Sequence, residues 1–246
     1  MQREGRPGAD CARPLVWGAV PAAGSGSRMG CSVPKQYLDI AGRRLAEHTL
    51  DALLAAGCIH ELVVAIAPDD ALWHTLPGTL RGRVRAVHGG DDRAASVLNA
   101  LAGFSRRPAP GDWVLVHDMA RPCVRPERIR SMIDELGRDE VGGLLALPLV
   151  DTLKRADTAQ RVRETVDRSA LWRAQTPQVF RFGVLERALR EARAAGATIT
   201  DEAMAVERLG LAPRLLTGSA DNIKVTIADD LELADYYLSR RCGKPA

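Results

Sequence analysis

Short apolar runs alternating with amphipathic stretches constrain this chain more than any other feature. The runs are Leu15–Val20, Glu61–Ala67, Arg83–Val87, Trp113–His117 and Val141–Leu147. Each has the length of a strand. Between them, Leu45, Thr49, Leu53 and Ala56 share one helical face, and Gly57 follows as a stop. Val97, Leu98, Leu101 and Ala102 make a second such face. Ile129, Met132, Ile133 and Leu136 make a third, which Gly137 ends. Further helices are expected at Phe182–Ala195, Asp201–Leu209 and Asp229–Arg241. Strand alternating with helix implies parallel pairing through right-handed crossovers, hence an α/β fold with a mostly parallel sheet covered on both faces. Ligands bind beyond the carboxyl ends of such strands. The loop at 21–30 and the pair His117–Asp118 both fall there.

The alternation breaks after Pro148. Residues 151–170, DTLKRADTAQRVRETVDRSA, are polar and charged, with too little apolar content for a core element. Two readings stay open: a solvated hairpin, or an arm that reaches another subunit. Residues 1–14 read as a disordered leader, polar and without periodicity. Its basic residues and the apolar Leu15–Val20 loosely imitate a signal peptide, but Asp10, Pro14 and Gly18 break the pattern. Residues 15–241 read as one domain.

Charge and cysteines exclude several classes. The net charge is only +3, and Lys and Arg are spread along the chain, which argues against a nucleic-acid partner. No apolar run approaches a membrane span. The five cysteines form no CxxC pair and no zinc spacing, so reduced thiols in the cytoplasm are expected.

Residues 20–38, VPAAGSGSRMGCSVPKQYL, carry the chemistry. A glycine-rich turn after a strand presents backbone N–H groups that can cradle phosphate. A dinucleotide fingerprint fails here, because Met29 stands where its third glycine belongs. A Walker loop fails too, because Cys31 and Ser32 follow Gly30 where lysine is needed. What remains is a phosphate loop with Arg28 and Lys35 beside it, suited to phosphoryl or nucleotidyl transfer. The glycines alone equally allow a tight turn with two solvated cations.

The stretch AAGSGSRM followed by PKQYL resembles the cytidylyltransferase family of the non-mevalonate isoprenoid pathway. GGDDRAASV, VLVHDMARPCV, DTLKR, TVDRSALW, QTPQVF, TDEA and ADNIKVT follow in the family's order, from Val20 almost to the end of the chain. One such motif is weak; this many in order is specific.

The resemblance implies a Rossmann-like nucleotidyltransferase fold. It implies CTP and 2-C-methyl-D-erythritol 4-phosphate as substrates, a divalent cation such as Mg²⁺, and a homodimer in which 151–170 is the dimerisation arm. It also assigns residues. Gly24 and Gly26 wrap the triphosphate, while Arg28 and Lys35 stabilise charge at the α-phosphorus. Pro21, Ala22, Ala23, Gly90, Asp91 and Ser96 receive the cytosine side; Asp91 reads otherwise as a helix cap. Asp118, Arg121, Thr152, Arg168, Thr200 and Lys224 receive the acceptor. Arg168 and Lys224 hold the attacking phosphate, and Asp118 binds the metal or the acceptor hydroxyls. A phosphate monoester is already nucleophilic near neutral pH, so no general base is required. His117 reads as a packed, satisfied side chain.

One residue departs from the family. Met119 stands where the family usually carries alanine, and a larger side chain there is expected to narrow or reshape the acceptor pocket. Relatives that cytidylylate ribitol or ribulose 5-phosphate tend to carry AGG where this chain has Ala22–Ala23–Gly24, which favours the methylerythritol substrate. A non-catalytic CTP-binding regulator is the alternative of another class; the cations Arg28, Lys35, Arg168 and Lys224 argue against it.

Overall fold

The computed structural model describes residues 13–24 and 33–241. In chain order its elements are β1 (Val16–Ala22), β2 (Asp39–Ile40), β3 (Arg43–Arg44), α1 (Leu45–Ala55), β4 (Ile59–Ile66), α2 (Gly78–Arg81) and β5 (Arg85–His88). There follow α3 (Arg93–Ala102), β6 (Trp113–Val116), α4 (Pro126–Leu136), β7 (Gly142–Pro148), β8 (Leu153–Ala156) and β9 (Val162–Val166). The chain continues with β10 (Trp172–Arg181), α5 (Phe182–Ala194), α6 (Glu202–Glu207), β11 (Arg214–Thr217) and α7 (Ala228–Arg241).

Seven strands form one sheet in the order β11-β7-β10-β6-β1-β4-β5. Neighbours pair parallel, except that β10 runs antiparallel to both β6 and β7. The expected α/β architecture with a mostly parallel sheet is therefore present. Side-chain alternation along each strand feeds two cores. Val16, Val20, Leu62, Val64 and Leu115 pack on one face with α1 and α4. Trp17, Ala19, Val63, Ala65, Val114 and Val116 pack on the other with α3, α5 and α6. Both faces being covered explains why β1, β4 and β6 read as continuous apolar runs. Each fully buried aliphatic side chain contributes on the order of 1.5–3 kcal/mol.

Glycines with positive φ follow α1 and end α4: Gly57 has φ +67° and Gly137 has φ +51°. The start of β1 is fixed by Asp112, whose carboxylate accepts from Leu15 N and Trp17 Nε1, both at 3.0 Å. Trp17 is wholly buried, so its indole N–H needs that partner.

Several elements differ from the sequence reading, among them the short β2, β3 and α2, which it did not expect. β5 begins at Arg85, not Arg83, because Arg83 N and Val84 N close turns onto Leu80 O and Arg81 O. β10 was not anticipated, nor was β11. The segment 151–170 contains a two-stranded antiparallel hairpin, β8 with β9, largely exposed. A hairpin exposed in the single chain is common to both readings, the solvated hairpin and the arm that reaches another subunit. Among the described residues no helix is long and apolar enough to cross a membrane.

Candidate active site

A pocket of about 370 Å³ opens at the carboxyl ends of β1 and β6. Three backbone segments, two lysines and Gln36 build it. The end of β1 brings Pro21, Ala22, Ala23 and Gly24. The turn into α3 brings Gly90, Asp91, Asp92, Arg93 and Ser96. The end of β6 brings Asp118, Met119 and Ala120, and Lys35, Gln36 and Lys224 complete the wall.

The α3 turn depends on small residues. A Cβ on Gly90 would lie 2.2 Å from Ala95 Cβ, and one on Gly89 would lie 2.4 Å from Ala23 Cβ. The turn therefore touches both the helix and β1, leaving flat backbone at the pocket. Ser96 Oγ accepts from Gly90 N at 3.1 Å and donates to Asp92 O at 2.9 Å, which fixes the turn. Asp92, not Asp91, caps α3: its carboxylate accepts from Ala95 N at 2.6 Å. The capping reading of Asp91 is thereby corrected, and Asp91 is left exposed at the pocket rim.

Lys35 lies on a short 3-10 turn, Lys35–Tyr37. Its neighbours anchor it. Gln36 Nε2 donates to Ala22 O at 3.2 Å, and the buried Tyr37 donates its hydroxyl to Asp70 at 2.6 Å. Lys35 Nζ donates to Val225 O at 2.9 Å. The two lysines of the pocket are thus tied through adjacent residues, Lys224 and Val225.

Asp118 is the electrostatic centre. Its side chain is 7% exposed and meets Arg93 Nη1 at 2.7 Å, Lys224 Nζ at 2.8 Å and Arg121 Nε at 3.5 Å. Burial pushes this carboxyl up, but the charges of Arg93, Lys224 and Arg121 outweigh it and hold Asp118 well below the usual carboxylate range. Arg93 also grips the wholly buried Glu202 through two hydrogen bonds of 2.9 Å. Burial disfavours the Arg93 charge, yet Glu202 and Asp118 reverse that and keep it protonated.

His117, beside Asp118, is fully buried and satisfied. Thr176 Oγ1 accepts from Asp118 N at 3.0 Å and lies 3.0 Å from His117 Nδ1. His117 Nε2 lies 3.2 Å from Arg121 O, which can only accept. The Nε2–H tautomer therefore donates to Arg121 O, and Thr176 donates its hydroxyl to Nδ1. Burial pushes the imidazole pKa down to about 4, so His117 is neutral at pH 7.

Of the sequence-predicted residues, Pro21, Ala22, Ala23, Gly24, Lys35, Gly90, Asp91, Ser96, Asp118 and Lys224 line this one pocket. Gly26 and Arg28 lie outside the described residues. Arg121 is buried behind Asp118, and its Nη1 donates to Asn222 O at 2.7 Å. Thr152, Arg168 and Thr200 are exposed and do not line the pocket. Arg168 instead donates to Leu149 O and Val150 O at the root of the hairpin. Met119 touches the pocket but is 4% exposed and belongs to the core beneath it. Gln36, Asp92, Arg93 and Glu202 were missed. All four sit inside recognised motifs, but the roles of Arg93 and Glu202 depend on each other across 109 residues of chain.

The model of one family, 2-C-methyl-D-erythritol 4-phosphate cytidylyltransferase, matches residues 16–240. The chain belongs to that family. Its cytidylyltransferase relatives span nearly its whole length. The 2-C-methyl-D-erythritol 4-phosphate cytidylyltransferase of Pseudomonas fluorescens is 49% identical over 93% of this chain and 98% of that protein. The enzyme of the same name from Pseudomonas putida is 50% identical over 94% of this chain and 97% of its own. Among solved structures, that of a 4-diphosphocytidyl-2C-methyl-D-erythritol synthase superposes with a TM-score of 0.79 at 38% identity, covering 92% of this chain and 99% of the other. The Francisella tularensis cytidylyltransferase gives 0.78 at 33% identity, covering 91% and 99%. The cytidylyltransferase fold expected from the motifs is the fold observed.

Proposed function

We propose that this pocket transfers the cytidylyl group of CTP to 2-C-methyl-D-erythritol 4-phosphate, giving the CDP-alcohol and pyrophosphate. The observation that carries the reading is the convergence of Lys224 and Arg93 on Asp118, with Lys35 on the wall of the same pocket and the small-residue turn Gly89–Gly90 beside it. Flat backbone at Gly90, together with Ala22, Ala23 and Ser96, suits a planar base read at its edge. Pro21 and Asp91 complete that side. Gly24 and Gly26 receive the triphosphate.

An oxygen of the acceptor's 4-phosphate attacks the α-phosphorus in line, the new P–O bond forms, and the bond to pyrophosphate breaks. Negative charge grows on the non-bridging oxygens, where Lys35 and Arg28 supply positive charge. The phosphate monoester is ionised near neutral pH and needs no base. A buried, neutral His117 is consistent with that. Lys224 and Arg168 hold the attacking phosphate, Arg168 by its planar fork. Asp118, Arg121, Thr152 and Thr200 receive the rest of the acceptor.

The residues present fit a divalent cation held mainly by CTP. Among the described residues no group of three or more His, Cys, Asp or Glu could cage a metal. Both Asp118 oxygens already face cations, so Asp118 offers at most one contact. Mg²⁺ keeps waters and binds readily through phosphate oxygens with few carboxylates. When bound it would neutralise charge on the triphosphate.

The hairpin completes the site from a second copy of the chain. Thr152 and Arg168 lie on it, away from the pocket. Val150 at the root of the hairpin and Val162 towards its turn are 74% and 65% exposed, apolar surface that a partner subunit would cover. The domain spans 15–241, and the cytoplasm is the expected location.

A pyrophosphate-release assay with CTP, Mg²⁺ and each acceptor in turn tests the reading. Turnover with 2-C-methyl-D-erythritol 4-phosphate is expected. Turnover only with ribitol or ribulose 5-phosphate would reassign the acceptor. CTP binding without release from any acceptor would favour a regulator.

A further inference from the structure

We infer that Glu202 is a positioning residue for the transfer, acting on Asp118 through Arg93; this rests on the reading of the pocket given above. Glu202 opens α6, is wholly buried, and does not line the pocket. Its two carboxylate oxygens accept from Arg93 Nε and Nη2, each at 2.9 Å. A guanidinium is planar and its donors form a rigid fork, so gripping the Nε–Nη2 edge fixes the direction of the remaining nitrogen. That nitrogen, Nη1, donates to Asp118 Oδ1 at 2.7 Å.

The consequence falls on the other oxygen. With Oδ1 held by Arg93, the carboxylate presents Oδ2 to Lys224 Nζ at 2.8 Å, with Arg121 Nε 3.5 Å away. Glu202 thereby sets the plane of Asp118 and the place from which Lys224 works. It also balances charge. Three cations surround Asp118, and without Glu202 the mostly buried Arg93 would have one carboxylate to share with two other cations. The same pair ties α6 to the N-terminus of α3, joining the loop that carries Thr200 to the turn that carries Gly90.

The test uses Glu202→Gln, which keeps size and removes charge, with Arg93→Gln and the double variant. Wild-type turnover is measured first; its absence would overturn the functional reading alone. In Glu202→Gln, kcat per folded molecule is expected to fall roughly 10- to 100-fold, as for a misplaced catalytic group. KM for CTP should stay within about twofold. The double variant should be no slower than Arg93→Gln, since both act through one contact. Unchanged kcat in folded Glu202→Gln, or losses that multiply in the double variant, would overturn the inference. If Glu202→Gln does not fold, Glu202→Asp keeps the charge and withdraws it by one methylene; wild-type kcat there would overturn it equally. A crystal structure of whichever variant folds gives a readout independent of turnover. Arg93 Nη1 beyond hydrogen-bonding reach of Asp118 Oδ1 is expected; an unchanged contact would contradict the positioning role.

Discussion

Lys224 Nζ sits 2.8 Å from Asp118 Oδ2, although the two residues are far apart in the chain. The contact holds a cation on the wall of the pocket by a carboxylate that is itself almost inaccessible. Lys35 is brought to the same place through Val225 O. A site for a highly charged substrate is thus assembled before the substrate arrives, which spares reorganisation during the reaction.

Lys35→Ala is expected to lower kcat and leave CTP binding largely intact. Its proposed place at the α-phosphorus makes its contribution specific to the transition state. Loss of such a contact costs on the order of 3–4 kcal/mol in the barrier. Steady-state kinetics with unchanged kcat and only a raised KM for CTP would show that Lys35 merely binds substrate.

Met119→Ala is expected to cost stability before it changes specificity. The sequence suggested a side chain crowding the acceptor, but Met119 is 4% exposed and packs into the core shared with Tyr37 and Leu50. Truncating a buried methionine typically costs about 2–5 kcal/mol. Urea unfolding at neutral pH measures this. A midpoint equal to wild type, with a changed acceptor preference, would return Met119 to the specificity role.

How much of this was legible beforehand depends on where each residue's partner lies. β1, β4 and β6 were readable because a strand buried on both faces must be apolar throughout. β10 was not. Its middle carries Gln175, Thr176 and Gln178, which are buried through polar bonds to Ser219 O, His117 and Asp201. The pairing also shifts register between Ala174 and Gln178. The strand therefore shows neither an apolar run nor clean alternation. In the site, the motif residues of the pocket wall were legible because they lie on short local turns. Arg93 and Glu202 were not, since their bond joins α3 to α6 and leaves no local pattern in either segment. Asp91 and Asp92 were confused because either could cap α3 by sequence alone; Ala95 N selects Asp92.

Acid should destabilise the folded chain in part through His117. The unfolded chain takes up a proton near 6.5, whereas the buried imidazole does so only at about 4. Between those values the unfolded state binds more protons, so stability falls as pH falls through that window. The loss from this group is on the order of 3 kcal/mol by pH 4. Asp118, held low by its cations, adds a further loss below the usual carboxylate range. Unfolding free energies at pH 7, 6, 5 and 4 test this. A flat profile from 7 to 5 would contradict the buried neutral histidine.

Lys35→Ala and Arg168→Ala should complement each other if the hairpin serves a second subunit. Each homodimer is expected to be nearly inactive. In a heterodimer one site carries both lesions and the other carries neither. Random co-refolding should restore roughly a quarter of wild-type activity. Verified heterodimers without recovery would place Arg168 at the service of its own subunit.

The most direct measurement of the central claim is ³¹P NMR of the full chain incubated with CTP, Mg²⁺ and 2-C-methyl-D-erythritol 4-phosphate. The account predicts that pyrophosphate and a new diphosphodiester appear in equal amounts while the acceptor's phosphomonoester signal disappears. Persistence of CTP and the phosphomonoester, under conditions where the folded protein binds CTP, would contradict it.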